Sequence, residues 1–342
     1  MSSMAAWVSF SVGVWSIVLT GMVRHFAVRR NWLDIPNARS SHSLPTPRGG
    51  GLAIVLSFSA ALALLGLYRL LDHSVVFAML ASGAIVAVVG YVDDRHSLPA
   101  RVRFTAQIIA ASLFVMLLGG IPESALGDFG LNYPRIAAVI VVLTLTWSTN
   151  LFNFMDGIDG IAGGEAAFVA GAGAWLNSIK HGNFGLTAAM LCLCAASIGF
   201  LFWNWSPARI FLGDVGSGFL GLMLPMLGLA ASQRAAIPVQ VWIILGGSFF
   251  ADATLTLVRR AALGDRWFEA HRSHAYQQLA RRWNSHSAVT VLVMAINLIW
   301  LLPWAWYAEK VPAQATMSAI EALSPLVLLA WIAGAGKRRP AD

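Results

Sequence analysis

The segment NLFNFMDGIDG, residues 150–160, places two amides and two carboxylates directly after a long apolar stretch. Asn150, Asn153, Asp156 and Asp159 recur at every third position, a spacing that aligns side chains along one slowly turning face of a helix. We therefore expect a helix here with one polar face. An interhelical polar clamp is the alternative to a ligand site, because amides and carboxylates also join helices within membranes.

Two further segments with carboxylates accompany this one. In GYVDDRHSLPARVRFTAQ, Asp93 and Asp94 are adjacent and repel each other unless a proton or cation lies between them, and Arg101 and Arg103 follow. A solvated loop with surface ion pairs is the other interpretation of this cluster. In RIFLGDVGSGFLG, Asp214 stands among apolar residues and needs a partner, for which a divalent cation or its bound water is suitable.

Anion-binding residue types occupy two other segments. The first, DIPNARSSHSLPTPRGGG, ends in Arg48 and three glycines where a helix begins, which suits an anion but also suits close helix packing. The second, RRAALGDRWFEAHRSHAYQQLARRW, centres on His271, Arg272 and His274. Guanidinium and imidazole groups are what a pyrophosphate requires. A zinc site at His271 and His274 is the weaker alternative, because cysteine partners are missing.

The elements that must position these residues are membrane helices. Hydrophobic residues make up 58% of the chain and charged residues 11%, against about a quarter charged in soluble domains. Apolar runs of roughly twenty residues recur throughout, the length that crosses a ~30 Å hydrocarbon core. We predict an all-α integral membrane protein in a single domain, 1–342. Its eleven predicted transmembrane helices are 6–27, 50–70, 75–92, 104–120, 135–152, 161–178, 184–203, 215–232, 238–257, 287–307 and 317–335.

The lysines and arginines orient these helices by the positive-inside rule. With the N-terminus outside, the cytoplasmic loops lie at about 28–49, 93–103, 150–160, 204–214 and 258–286, and the C-terminus is inside. The net charge of +7 then needs no nucleic-acid partner to explain it. Only five of the 23 basic residues fall on the outer side, and these are Arg69, Arg135, Lys180, Arg234 and Lys310.

All five polar segments lie on the cytoplasmic face in this topology. Carboxylates at helix ends, surrounded by basic and glycine-rich loops, indicate a cleft in which Mg²⁺, or Mn²⁺ in its place, binds phosphates. A transporter would show repeated halves and charged or broken helices near the midplane. A scaffold protein would have no reason to gather these groups. The pattern favours an enzyme with a cytoplasm-facing active-site cleft.

Five motifs in order resemble those of a known family: PRGGG, GYVDD followed by Gln107, NLFNFMDGIDG, FLGDVGSG and HRSHAYQ. They are similar to the motifs of the bacterial polyprenyl-phosphate N-acetylhexosamine-1-phosphate transferases over about residues 34–278. That family transfers an N-acetylaminosugar 1-phosphate from a UDP-sugar to undecaprenyl phosphate, giving lipid-diphospho-sugar and UMP. The resemblance implies an Mg²⁺-dependent transferase in the bacterial cytoplasmic (inner) membrane, with these two substrates as partners, and it leaves a homodimer open.

The resemblance also assigns roles to individual residues. Asp214, with Asp156, would hold the metal ion, and Asp93 would be the base on the lipid phosphate. Asp94, Asp156, Asp159 and His271 would complete the catalytic set. The substrate-binding residues would be Asn150, Asn153, Phe211 stacked on the uracil, Arg272, His274, Arg48, Arg101 and Arg103.

Two departures bear on the substrate. The histidines of HRSHAYQ are separated, and PRGGG contains Arg48. Both features differ from the branch that makes the first lipid intermediate of peptidoglycan and resemble the branch that initiates O-antigen or related surface polysaccharides. We therefore expect a UDP-N-acetylaminosugar rather than the UDP-muramyl-pentapeptide, with N-acetylglucosamine, N-acetylfucosamine and N-acetylquinovosamine all open as the sugar.

The predicted orientation can be tested by labelling single cysteines on intact cells with a membrane-impermeant thiol reagent. The starting variant lacks Cys192 and Cys194. A cysteine at Lys310 should react from outside, whereas one at Asp265 should react only after the membrane has been opened. Reaction at both positions from the same side would refute the topology.

Overall fold

The computed structural model describes residues 2–36, 44–121, 132–265 and 271–337. Parts of two predicted loops, 37–43 and 266–270, lie outside the described residues, as do the basic residues Arg39, Arg266, Arg338 and Arg339. The described chain is almost entirely helical. The sheet found in it is one short antiparallel pair, β1 (Leu33–Asp34) with β2 (Thr46–Pro47), in which Leu33 faces Pro47.

The helices follow one another with short connections. A π-helical turn, Asn297–Leu301, joins α12 to α13, and a 3₁₀ turn, Pro312–Gln314, precedes α14. In chain order the helices are α1 (Ser2–Arg29), α2 (Gly51–Leu67), α3 (His73–His96), α4 (Ala100–Leu117), α5 (Pro134–Met155), α6 (Ile161–Ile179), α7 (Phe184–Asn204), α8 (Asp214–Ala235), α9 (Val239–Leu245), α10 (Gly247–Ala262), α11 (Ala275–Trp283), α12 (His286–Ile296), α13 (Leu302–Lys310) and α14 (Ala315–Ala333).

The all-α integral membrane fold is confirmed, and each of the eleven predicted spans coincides with a helix or a pair of joined helices. By length and hydropathy, eight spans among the described residues are sufficient to cross a membrane, or nine if the bent pair α9–α10 counts as one. The two others are α2, which has only 17 residues, and α6, whose apolar face is interrupted by Glu165. The single-domain organisation stays a prediction.

The expectation of one polar helix face over residues 150–160 is wrong. Asn150 and Asn153 lie on α5, but α5 ends at Met155, so Asp156 and Asp159 belong to the following loop. Glycines are poor helix formers, and Gly160 has a φ of +78° immediately before α6 begins. The glycines of MDGIDG therefore end one helix and start the next.

Two predicted loops also contain helix. α3 continues to His96 and α4 begins at Ala100, so only three residues of the predicted loop 93–103 are not helical. Asp93 and Arg103 are consequently held on rigid elements. The predicted loop 258–286 contains the end of α10 and the whole of α11.

α8 is the most deeply buried span, and it packs against α2, α3 and α5. Gly216 of α8 lies so close to Gly51 of α2 that a side chain at either position would collide with the backbone of the other. Both residues belong to the first turn of their helices. Close packing therefore brings the N-termini of α2 and α8 together, at the end of the bundle where the polar motifs gather.

Candidate active site

The N-terminus of α8 carries Asp214 as its first residue, preceded by Gly213 with a φ of +77°. Asp94, near the end of α3, caps this helix. Its Oδ1 accepts a hydrogen bond from the backbone N of Asp214 at 2.7 Å, and its Oδ2 accepts one from Val215 at 3.1 Å. A carboxylate here satisfies free N–H groups and faces the positive end of the helix dipole. Asp94 thereby fixes the direction of Asp214.

A short backbone ladder brings the PRGGG segment to the same place. The backbone N of Phe211 donates to the carbonyl of Pro47 at 2.8 Å, and the N of Gly50 donates to the carbonyl of Phe211 at 2.9 Å. Because the segment before α2 is held along the segment before α8, Arg48 is delivered to the α8 N-terminus.

Two guanidinium groups surround the carboxylates there. Arg48 Nε lies 2.8 Å from Asp94 Oδ1, and its Nη2 lies 2.7 Å from Asp214 Oδ1. Arg103 Nη1 lies 2.8 Å from Asp93 Oδ2 and 3.6 Å from Asp214 Oδ2. Burial opposes the charge of Arg48, but the carboxylates of Asp214 and Asp94 raise its pKa above the ordinary value. Arg48 therefore keeps its positive charge at neutral pH.

The two asparagines of α5 complete the wall of this cluster. Asn153 Nδ2 donates to Asp214 Oδ1 at 2.9 Å and to Ser217 Oγ at 3.1 Å, and Asn150 Nδ2 donates to Gln107 Oε1 at 2.6 Å. Beside them, a cavity of about 450 Å³ opens between α3, α4, α5 and α8. Its polar lining is Arg101, Arg103, Gln107, Asn150, Asn153 and Asp214, and its apolar lining includes Val86, Phe104, Trp147 and Phe154.

Asp156 and Asp159 differ in environment although they share a loop. Burial raises the pKa of Asp156 to about 7, with the charges of Asp214, Asp94 and Asp159 adding to the effect and Arg48 opposing it. Asp156 thus lies within electrostatic reach of the Asp214 cluster.

Asp159 is instead tied to two other segments. Its Oδ2 accepts from the backbone N of Ala208 at 3.1 Å, its Oδ1 lies 3.3 Å from His286 Nδ1, and its carbonyl accepts from Thr290 Oγ1 at 2.8 Å. Burial opposes the charge, but the hydrogen bond and charge of His286 lower the pKa of Asp159. Asp159 therefore braces the loop through these contacts, and its catalytic role stays a prediction.

The HRSHAYQ segment is held by Asp252 of α10. The Asp252 carboxylate accepts hydrogen bonds from the backbone N of Ala275 at 2.8 Å and of Tyr276 at 2.9 Å, which caps α11. His274 is 1% exposed, and its Nδ1 lies 3.5 Å from Asp252 Oδ1. The Tyr276 hydroxyl donates to the carbonyl of Phe154 on α5 at 3.0 Å. His274 is therefore part of the support, and His271 is the more accessible imidazole.

His271 stacks on His274 with ring centroids 4.9 Å apart, and its Nδ1 lies 3.1 Å from Ser273 Oγ. Burial lowers the pKa of His271 to about 3, and the charges of His274 and Arg260 act in the same direction. His271 is thus neutral at pH 7 and offers a hydrogen bond rather than a charge. Arg272 lines a separate polar cavity of about 500 Å³ together with Ser206, Arg281 and His286.

The sequence-based site residues thus fall into two groups among the described residues. The first surrounds Asp214, and the second comprises the His271 segment with Asp159 and its partners. Sequence reasoning missed His286, for which no motif exists, and the role of Asp252. A carboxylate within an apolar span was the available signal for Asp252, because ionisable residues there are costly unless they have partners.

The carboxylates around Asp214 are suited to a magnesium ion that keeps part of its coordination shell as water. Within the described ranges no three carboxylates, imidazoles or thiols converge as a complete ligand set. Mg²⁺, however, is commonly bound by one or two carboxylates together with substrate phosphates. Asp93 and Asp214 both face Arg103, whose Nη1 lies 2.8 Å from Asp93 Oδ2 and 3.6 Å from Asp214 Oδ2. Two carboxylates that share one region in this way are stabilised by a cation.

Comparison with known proteins decides the family. Residues 76–232 match glycosyl transferase family 4. The chain is 31% identical over 324 residues to the decaprenyl-phosphate N-acetylglucosaminephosphotransferase of Mycobacterium tuberculosis, covering 84% of this chain and 78% of that protein. The chain belongs to this family of polyprenyl-phosphate sugar-1-phosphate transferases. It is therefore a membrane transferase with many spans, as the motifs predicted.

Two other relatives show the breadth of this family. The probable undecaprenyl-phosphate N-acetylglucosaminyl 1-phosphate transferase of Bacillus subtilis is 30% identical over 301 residues, 85% of this chain and 82% of that protein. The phospho-N-acetylmuramoyl-pentapeptide-transferase of Endomicrobium trichonymphae is 28% identical over 246 residues, 63% of this chain and 66% of that protein. The relatives thus include enzymes named for N-acetylglucosamine 1-phosphate transfer and one named for phospho-N-acetylmuramoyl-pentapeptide transfer.

The neutral state of His271 makes stability depend on pH. On acidification, His271 in the unfolded chain takes up a proton near pH 6.5, whereas in the folded protein it does so only near pH 3. Protonation of His271 therefore favours the unfolded chain. The free energy of unfolding falls as the pH drops from about 6.5 towards 3. His271→Gln should lose less thermal stability than wild type between pH 7 and pH 5 in detergent. The exposed His73→Gln serves as control, and an unchanged pH dependence in His271→Gln would contradict the assignment.

Proposed function

We propose that this protein transfers an N-acetylaminosugar 1-phosphate from a UDP-sugar to undecaprenyl phosphate, as the first step of O-antigen or related cell-envelope polysaccharide synthesis. The observation that carries the proposal is the Asp214 cluster, in which carboxylates and guanidinium groups meet at the mouth of a partly apolar cavity. Such a place can receive a charged nucleotide and a lipid headgroup together.

The names of the relatives support the choice of donor, and the residues that line the cavity support the choice of acceptor. Two of them are named for N-acetylglucosamine transfer to decaprenyl or undecaprenyl phosphate, so UDP-N-acetylglucosamine is the first donor to test. For the acceptor, Arg101 and Arg103 provide cations at the polar end of the cavity, while Phe104 and Trp147 provide apolar wall for the first isoprene units. The cytoplasmic membrane, with this site on its inner side, is the compartment we propose.

In the proposed reaction an oxygen of the lipid phosphate attacks the sugar-linked phosphorus of the donor. The bond from that phosphorus to the bridging oxygen breaks, and UMP leaves with this oxygen. Asp93, paired with Arg103, is the proposed base on the lipid phosphate. Arg272 and neutral His271 hold the diphosphate, and Phe211 stacks on the uracil. Asp214, with Asp156 near it, would hold Mg²⁺, and the ion would supply positive charge beside the phosphate oxygens.

The contacts of the neighbouring residues support a positioning role for some of them. Both oxygens of Asp94 are engaged by α8, and one also contacts Arg48, so we assign Asp94 to orienting Asp214 and Arg48. Asn150 and Asn153 hold the cavity wall in place in the same way. Phosphoryl transfer depends mainly on positioning and charge stabilisation, which is what this arrangement supplies.

The proposal can be tested with purified protein by measuring UMP release from undecaprenyl phosphate and a panel of UDP-sugars. We expect release with an N-acetylaminosugar donor that requires both lipid phosphate and Mg²⁺, and a loss of about 100-fold in Asp214→Asn. Asp72→Asn, at an exposed ion pair with Arg234, is the matched control.

Two outcomes of this assay would count against the proposal. Absence of UMP release with every donor, or release that does not need the lipid phosphate, would contradict the transfer reaction. Release from UDP-N-acetylmuramyl-pentapeptide alone would move the chain to the peptidoglycan branch.

A further inference from the structure

Glu165 is a buried carboxyl group that the reaction described above does not use. It lies in α6, six residues after Asp159, and is 0% exposed. Its Oε2 accepts a hydrogen bond from Asn297 Nδ2 at 2.6 Å, while its Oε1 has no hydrogen-bond partner among the described residues. An ionisable side chain within an apolar bundle is costly and is commonly connected with function.

Asn297 extends this contact to a third helix. It is also 0% exposed, and its Oδ1 accepts a hydrogen bond from Ser248 Oγ of α10 at 2.6 Å. Asn297 is the first residue of the π-helical turn. Such turns within α-helices frequently occur at functional sites, because they alter the direction of side chains. Glu165, Asn297 and the half-buried Ser248 thus form one polar chain across α6, the π turn and α10.

This polar chain reaches the break between α9 and α10. The two helices meet at Gly246 at an angle of 78°, and Ser248 is the second residue after the break. Gly247 packs so tightly that an added Cβ would lie 2.6 Å from Leu323 and 3.1 Å from Leu301, the last residue of the π turn. The π turn therefore contacts the break at Gly247 and at Ser248. These two contacts hold the direction of α10.

One helical turn beyond Ser248, α10 presents Asp252, which holds the backbone N–H groups of Ala275 and Tyr276. Thr256 Oγ1 also donates to Asp252 at 3.0 Å, which limits the rotation of the carboxylate. Any change in the direction of α10 would move Asp252 and, with it, the start of α11. Contacts among described residues thus connect Glu165 to the segment that carries His271 and Arg272.

We propose that Glu165 is a positioning residue for the transfer reaction. Through Asn297 and Ser248 it fixes the direction of α10, and through Asp252 it sets the position of the His271–Tyr276 segment. The inference rests on the function proposed above, in which His271 and Arg272 hold the donor diphosphate. Its first consequence, the ordering of this segment, is measurable without any turnover.

Hydrogen–deuterium exchange of the purified protein tests that consequence. Glu165→Ala should increase the exchange rates of the Ala275 and Tyr276 amides about fivefold, because the Asp252 carboxylate is less firmly held. Glu165→Gln retains an oxygen that can accept from Asn297 and should stay near wild type. Ser248→Ala removes only the hydroxyl and should shift exchange in the same direction, which keeps the test available if Glu165→Ala does not fold.

Kinetics provide the second readout. Glu165→Ala should raise the KM for the UDP-sugar about fivefold, with little change in the KM for lipid phosphate or in kcat, and Glu165→Gln should restore it. Glu309→Ala is the matched control, because Glu309 is also buried but contacts Lys180 and Lys310, each at 3.2 Å, at the C-terminal end of α13.

Two results would overturn the proposal. The first is a Glu165→Ala protein with lowered thermal stability but wild-type exchange at Ala275 and Tyr276. The second is the same exchange and KM change in Glu309→Ala, which would show a general loss of stability. If wild type released no UMP with any donor, the proposed function would fail, while the exchange measurements would still decide whether Glu165 orders the segment.

Discussion

The Asp94 carboxylate accepts hydrogen bonds from the first two backbone N–H groups of α8. These bonds determine where the other charged groups around Asp214 can lie. Hydrogen bonds to a charged group contribute about 1.5–3 kcal/mol each, and here they fix the end of the most buried span. Asp214 then points at Arg48, Arg103 and Asn153 rather than into the apolar bundle. The close packing of α2 against α8 acts together with this cap, because it places Arg48 beside Asp94 at the same helix end.

The second half of the site depends on a similar device. Asp252 caps α11 as Asp94 caps α8, and in both cases a carboxylate on one helix holds the N-terminus of another. The Tyr276 hydroxyl bonded to the Phe154 carbonyl connects the two halves through α5, which also carries Asn153. A donor bound between the halves would contact rigid helix ends on both sides. Pre-positioned charges of this kind are the main contribution a protein makes to phosphoryl transfer.

The sequence was sufficient for the fold class, the approximate helix positions and the residues around Asp214, because apolar length and motif order are local signals. It was insufficient where partners lie far apart in the chain. The end of α5 at Met155 depends on glycine conformations. Asp252 accepts a hydrogen bond from Ala275, 23 positions later in the chain, and no sequence motif links the two residues. The contact of His286 with Asp159 could not be predicted from the sequence either, because it depends on the packing of α12. The shift of the His271 pKa arises from burial and therefore also required the structure.

We propose that Asp214 and its neighbours bind one divalent metal ion, and titration with Mn²⁺ followed by electron paramagnetic resonance measures this binding. The wild-type protein should bind about one Mn²⁺ per chain, and Asp214→Asn should lose this binding because an amide lacks the charge that holds a hard cation. Asp72→Asn should bind as wild type does. Equal Mn²⁺ binding by Asp214→Asn and wild type would show that Asp214 is not a ligand of the metal ion.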